Sequence, residues 1–212
     1  MDPKKIEVIY EGYDKQKFRV DVLVNSLKHF NLVPKSYFLF VGTVQPRKNL
    51  ERLIKAFSRQ PDDYLVIVGQ KGWLSDEIYN LPKKQWIEDE RSSLAGKVKF
   101  LGYVPDEDMP AIYTGAIALT FPSLFEGFGL PILEAQACGC PVITSNVSSM
   151  PEVAGKGAVY VDPYSIDDIV KGMVRVKSHE SRVKLIRAGF ENVKRFSWEK
   201  CAMETLKVLE EV

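Results

Sequence analysis

Ala116-Ile117-Ala118-Leu119-Thr120-Phe121-Pro122-Ser123-Leu124-Phe125-Glu126-Gly127-Phe128-Gly129-Leu130-Pro131-Ile132-Leu133-Glu134-Ala135-Gln136-Ala137-Cys138-Gly139-Cys140-Pro141-Val142-Ile143-Thr144 reads as strand, loop, helix, strand. Ala116 to Phe121 and Pro141 to Thr144 are apolar without alternation, the pattern of strands covered on both faces. Leu130 to Cys138 predicts a helix, with Pro131 in its first turn, where a missing N–H costs nothing. Two such strands joined through a helix form a right-handed crossover between parallel strands.

The same grammar extends in both directions. Tyr37-Phe38-Leu39-Phe40-Val41 ends in Gly42, Tyr64-Leu65-Val66-Ile67-Val68 in Gly69, and Val98-Lys99-Phe100-Leu101 in Gly102. Ala158 to Val161 ends in Asp162. Helical stretches lie between them. Leu50, Leu53, Ile54 and Phe57 share one face, and Asp106 to Tyr113 opens with acids suited to a helix start. Ser165 and Asp168 stand as a capping box, and Ser197 caps a last helix from Trp198. Alternating strands and helices predict an α/β fold with a doubly wound parallel sheet, Rossmann-like. Ligands of such sheets bind beyond the carboxyl ends of the strands. Residues 1–35 read as a lead-in segment with one strand over Ile6 to Tyr10, residues 36–195 as the domain, and 196–212 as a C-terminal helix.

Composition narrows the class. The chain has 212 residues, with 29 Lys and Arg against 28 Asp and Glu, a formal charge of +1. That balance argues against nucleic acid as a partner. His29 and His179 cannot furnish a three-histidine metal site. Cys138, Cys140 and Cys201 are an odd set, two of them one glycine apart, and make a poor disulfide framework. They read as small buried thiols in a reducing compartment. No apolar leader follows Met1, and the Met109–Phe125 stretch is too short and too broken to span a bilayer. A cytoplasmic location is therefore expected.

The loop before Leu130 carries the strongest chemical signal. N–H groups at a helix start are unpaired and, with glycines that admit a ligand to the backbone, form an anion site. Glu126 stands at the entrance, and Glu134 lies one turn inside the helix. Either glutamate alone also fits a plain role, complementing the helix dipole. Taken with the loop, they suggest two acceptors around one anion site. The third glycine of a dinucleotide fingerprint is absent, with Ile132 in its place. A second segment, Gly42-Thr43-Val44-Gln45-Pro46-Arg47-Lys48-Asn49, puts a guanidinium and an ammonium at the carboxyl edge, a pairing suited to a diphosphate. It also fits a solvated basic pair. Thr144 to Glu152 is a polar loop that touches a ligand or simply turns the chain.

These blocks, with Pro151-Glu152-Val153-Ala154-Gly155 and Phe196-Ser197-Trp198-Glu199, resemble the C-terminal nucleotide-sugar-binding domain of a GT-B glycosyltransferase of the retaining family 4 (group 1). Lys5 to Asp14 resembles the segment that enters this domain from the first. The resemblance implies transfer of a hexosyl group from a GDP- or UDP-linked sugar to a glycan or lipid-linked acceptor, in cell-envelope polysaccharide synthesis. Arg47 and Lys48 would neutralise the diphosphate. Phe128, Gly129 and Leu130 would bind phosphate and sugar, Glu126 the sugar hydroxyls at the reacting centre, and Glu134 the ribose. Gly42 and Thr43 would line the donor pocket, and backbone near Tyr103 and Val104 would meet the base. No metal or other cofactor is implied. The Pro46-Arg47-Lys48-Asn49 variant is similar to that of mannosyltransferases using GDP-mannose.

Two departures qualify the resemblance. Many relatives carry arginine where Thr43 stands, so Arg47 is expected to take over that charge. The family also has an acceptor-binding N-terminal domain of similar size, expected here to be missing or to lie in another chain. Any membrane contact would be made through that domain. The chain alone would then bind donor and transfer poorly. Two other classes fit some of the residues. One is a non-catalytic nucleotide-sugar-binding module. The other is a retaining glycoside hydrolase, which needs Glu126 and Glu134 about 5–5.5 Å apart across a sugar cleft.

Overall fold

The computed structural model describes residues 5–21, 24–59, 62–83, 94 and 96–210. Among these, the strands are β1 (Tyr37–Val41), β2 (Tyr64–Val68), β3 (Val98–Gly102), β4 (Ala118–Phe121), β5 (Val142–Ser145) and β6 (Ala158–Val161). All neighbours pair in parallel, in the order β3-β2-β1-β4-β5-β6. The helices are α1 (Val24–His29), α2 (Leu50–Phe57), α3 (Asp76–Asn80), α4 (Met109–Gly115), α5 (Leu130–Ala137), α6 (Met150–Ala154), α7 (Ile166–Lys177), α8 (His179–Val193) and α9 (Trp198–Glu210). The expected α/β architecture and its doubly wound sheet are therefore present. The order reverses between β1 and β4, so the loops leaving these two strands part and open a crevice.

The apolar runs form strands because both faces are covered. Phe38, Leu39, Phe40, Leu65, Val66, Ile67, Ala118, Leu119 and Phe121 are fully buried. The glycines ending β1 and β2 are a geometric requirement. Gly69 has φ +144°, and a Cβ there would sit 2.0 Å from the Gly42 carbonyl oxygen. Both predicted caps form. Ser197 Oγ accepts from the Lys200 N–H, and Ser165 Oγ accepts from the Asp168 N–H at 3.2 Å. The capping box is not reciprocal, because the Asp168 carboxylate turns to the Asp162 N–H at 2.8 Å.

One expected strand is absent. Ile6 to Tyr10 runs outside the sheet, with Ile6 and Val8 exposed. Ile6 and Val8 have no cover that would favour pairing, and Tyr10 at the segment's end packs on rings instead. The segment is also held further along. Gly12 packs so tightly on the start of α9 that a Cβ would meet the Trp198 nitrogen at 2.1 Å. Met1–Lys4, the tip of the lead-in, lies outside the described residues. Cys138 and Cys140 are buried beside β5, and burial raises both thiols, Cys140 to about 12. They are inert packing groups. Among the described residues, no helix is long and apolar enough to cross a membrane.

Candidate functional site

The carboxyl ends of β1, β2 and β3 border a cavity of 450 Å³. Gly42, Thr43, Gly69, Tyr103 and Val104 line it from the sheet side, and Leu130, Pro131 and Glu134 from α5. Lys17 and Asp106, an ion pair, stand at its rim. A second cavity of 550 Å³ adjoins it, lined by Val8–Glu11, Glu126–Pro131, Ser149, Glu152 and Val153. Leu130 and Pro131 belong to both. The anion-type loop thus forms the partition between two chambers.

Glu126 is the electrostatic centre. Its side chain is only 8% exposed, and each oxygen has a cation: Lys48 Nζ at 2.7 Å from Oε1 and Arg47 Nη1 at 2.8 Å from Oε2. Burial by itself raises the carboxyl. Hydrogen bonds from Lys48 and Arg47 and the ammonium charge outweigh it, and hold Glu126 below the usual carboxylate range. Arg47 also donates to the Phe125 carbonyl, and Leu124 N–H donates to the Arg47 carbonyl at 2.9 Å. Lys48 lies 5.0 Å over the Phe121 ring and beneath Gly42, where a Cβ would come within 3.5 Å of its nitrogen. One carboxylate and two cations leave a local charge of +1 beside the start of α5.

Local folding explains the clustering. The turn Pro46–Lys48 ends at Asn49, which adopts a left-handed φ of 59°. That conformation is tolerated by asparagine better than by most side chains. Asn49 is buried. Its amide donates to the carbonyls of Pro122 at 2.9 Å and Pro163 at 2.7 Å, and its oxygen accepts from Arg52. This side chain therefore pins the loop after β1 against those after β4 and β6.

The loop of the long motif is fixed from the other side. Ser148 Oγ accepts from the Glu126 N–H at 3.3 Å and donates to the Glu126 carbonyl at 2.8 Å. Ser149 Oγ shares its proton between the carbonyls of Glu126 and Phe128, at 3.0 and 2.8 Å. Gly129, at φ 113°, begins α5. Among the described residues, the N–H groups of Phe128, Gly129 and Leu130 find no acceptor. These donors stand at the start of α5, where the helix dipole adds its positive end. The polar loop after β5 is thus a clamp, a role that its serines alone did not distinguish from an ordinary turn.

Glu134 is half-buried in the first cavity and accepts a hydrogen bond from Tyr113 Oη at 2.7 Å. Burial raises its carboxyl above the usual range, Tyr113 and the Lys17 charge pull it back in part, and Asp106 adds to the rise. The sequence suggested both glutamates around one anion site. In the structure Glu126 lines the second cavity and Glu134 the first, on either side of the shared residues Leu130 and Pro131. Glu126 is also engaged by two cations, whereas Glu134 pairs with a tyrosine hydroxyl. Arg47 and Lys48 line neither cavity and reach the site through Glu126. A larger cavity of 1060 Å³ runs along α8 near Gly155, Val183 and Arg187. It contains none of these groups.

A parallel sheet of this order, with a charged cradle at its carboxyl edge, defines a Rossmann-like α/β protein of the ligand-binding kind. A profile of the glycosyl transferases group 1 matches residues 26–192, and the chain belongs to this family. It is 38% identical to O-antigen chain mannosyltransferase B of Escherichia coli over 186 residues, 85% of the chain and 47% of that relative. Sucrose-phosphate synthase from Thermosynechococcus elongatus superimposes with a TM-score of 0.81 at 25% identity, over 97% of the chain and 52% of the other. Anabaena HepE, solved in complex with UDP and glucose, gives 0.83 at 19% identity, over 97% of the chain and 57% of its own, and shows the fold alone. This is the architecture of the GT-B glycosyltransferases. The chain spans about half the length of each of these three proteins.

Proposed function

We propose that this chain is the donor-binding half of a retaining hexosyltransferase that uses a nucleoside-diphosphate sugar, with a mannosyl donor favoured. The observation that carries the reading is Glu126 held between Arg47 and Lys48 beside the free N–H groups of Phe128, Gly129 and Leu130. Similarity to an O-antigen mannosyltransferase supports the sugar. The base enters near Tyr103 and Val104, the ribose hydroxyls meet Glu134, and the diphosphate passes Gly42 and Thr43 to reach the start of α5.

In the transfer step, the bond from the anomeric carbon to the diphosphate oxygen breaks. A bond to the acceptor hydroxyl forms on the same face, and the hydroxyl proton goes to the departing phosphate. No protein nucleophile takes part. Charge grows on the leaving diphosphate, and preorganised donors aimed at growing charge are the strongest catalytic device available. Here they are the amides of Phe128–Leu130 together with Arg47 and Lys48. The diphosphate competes with Glu126 for the two cations. As they lean towards phosphate, the Glu126 carboxylate becomes free to accept from sugar hydroxyls. The reading uses no metal, because these groups supply the counter-charge.

The proposed division of the chain is a lead-in over 1–35, the donor domain over 36–195 and a C-terminal helix over 196–212. α9 has no buried residue, while Phe196 just before it is buried in the core. The acceptor is read by a domain outside this chain, so donor binding without efficient transfer is expected. Free, buried Cys138 and Cys140 suit the cytoplasm. Titration calorimetry with UDP, GDP and ADP tests the reading. Binding of at least one is expected, and failure of all three at millimolar concentration overturns it.

A further inference from the structure

We infer that Tyr10 is a positioning residue for the anion-binding loop, acting through the side chain of Phe128. The inference rests on the donor-site reading above and extends it to the lead-in segment. Tyr10, Phe128 and Phe196 form a closed aromatic triangle. Ring centroids lie 6.4 Å apart for Tyr10 and Phe128, 5.6 Å for Tyr10 and Phe196, and 5.8 Å for Phe128 and Phe196. Tilted and edge-on pairs at these distances are mutually attractive. The Tyr10 hydroxyl is anchored on the Glu152 carboxylate of α6. The Arg195 guanidinium lies over both Tyr10 and Phe196 and donates to the Glu152 carbonyl.

The two ends of the loop are therefore held differently. Ser148 and Ser149 fix the carbonyls of Glu126 and Phe128. Nothing in that clamp fixes the Phe128 ring, which is half-buried and borders the second cavity. Tyr10, which lines the same cavity, fills this gap together with Phe196. Glycines flank Phe128 on both sides, and Gly127 is exposed with nothing within 4 Å of a Cβ built on it. Such a backbone has wide conformational freedom. Three amides aim at one anion only while that freedom is suppressed, and an anchored aromatic side chain suppresses it. Tyr10 thus ties the approach to the domain to the donor cradle.

The test compares the parent chain with Tyr10→Leu and Tyr10→Phe. Affinity for GDP, or for whichever diphosphate the parent prefers, is measured beside that of the matching monophosphate. A positioning role confines the loss to the phosphate that reaches α5. Tyr10→Leu is expected to weaken the diphosphate about tenfold and the monophosphate less than about twofold, while Tyr10→Phe restores most of the affinity. Tyr10→Gln carries the same expectation should the leucine variant not fold. Equal losses for both nucleotides, or unchanged diphosphate affinity, overturn this inference alone. A parent chain that binds no nucleotide overturns the donor reading and this inference together.

Discussion

Lys48 Nζ lies 2.7 Å from Glu126 Oε1, and both groups are almost wholly withdrawn from solvent. Seventy-eight residues separate them in sequence. The contact welds the loop after β1 to the loop after β4 at the point where the strand order reverses. A buried pair of this kind contributes specificity of placement more than net stability, because desolvation offsets much of the attraction. On the donor-site reading its value is preorganisation, with two cations held beside the start of α5.

Removing the carboxylate leaves those cations facing one another. Glu126→Gln is expected to destabilise the fold by about 2 kcal/mol at neutral pH, less than the ~3–5 kcal/mol of a fully buried pair because Arg47 keeps solvent access. Glu126 is held below the usual carboxylate range, so its contribution is present above the unfolded-state value near ~4.3. It is lost as pH falls through the lower folded value. Urea denaturation of parent and variant should show the gap closing below about pH 4.

On the proposed reading, Arg47→Ala and Lys48→Ala each remove a charge-assisted contact to the diphosphate. Such contacts contribute ~1.5–3 kcal/mol, or about 10- to 150-fold in affinity. Calorimetry should show that loss for the diphosphate and a smaller one for the nucleoside, along with a weaker dependence on salt.

Glu134 behaves in the opposite sense to Glu126. Its carboxyl is raised, chiefly by burial. The penalty of burying its charge is therefore absent at low pH and grows as pH rises through the folded value. Glu134→Gln keeps an acceptor for Tyr113 and should raise the melting temperature at pH 7.5, an advantage that fades on acidification. The same variant should bind nucleotide more weakly, a trade of stability against function. Equal melting temperatures at pH 7.5 would contradict this account.

Gly69→Ala is expected to cost several kcal/mol, or to prevent folding. The new Cβ would overlap the Gly42 carbonyl, at a φ that side chains rarely adopt. Gly96→Ala also has a positive φ but open space around it, and should cost only about 1 kcal/mol. Denaturant midpoints of the two variants measure the difference.

Ser149→Ala removes one hydroxyl that tethers two carbonyls. A loss of about 1 kcal/mol in stability is expected. Diphosphate affinity should fall further than monophosphate affinity, because on the proposed reading the loosened loop carries the amides that meet the outer phosphate.

Much of the architecture is legible in the amino-acid pattern. Runs such as Tyr37–Val41 and Tyr64–Val68 declare buried strands because composition and length record burial on both faces. The loop from Glu126 to Leu130 is legible as an anion cradle because glycine, proline and a helix start are local features. Ile6–Tyr10 misleads for the same reason. Its short apolar pattern satisfies the local rule for a strand, yet no neighbouring strand covers it, and Tyr10 takes its place through ring packing instead.

The sequence by itself determined the class of fold, the family and the residues at the carboxyl edge, since these depend on periodicity and on side chains within a few positions of one another. Only the tertiary structure decided who meets whom. It placed Arg47 and Lys48 on Glu126, Tyr113 on Glu134, Ser148 and Ser149 under the loop, and Tyr10 against Phe128. It also separated the two glutamates into adjoining chambers. The reason is physical: a local pattern reports which face is buried, whereas pairing across many residues depends on how strands cross and how far each side chain reaches once the sheet has formed.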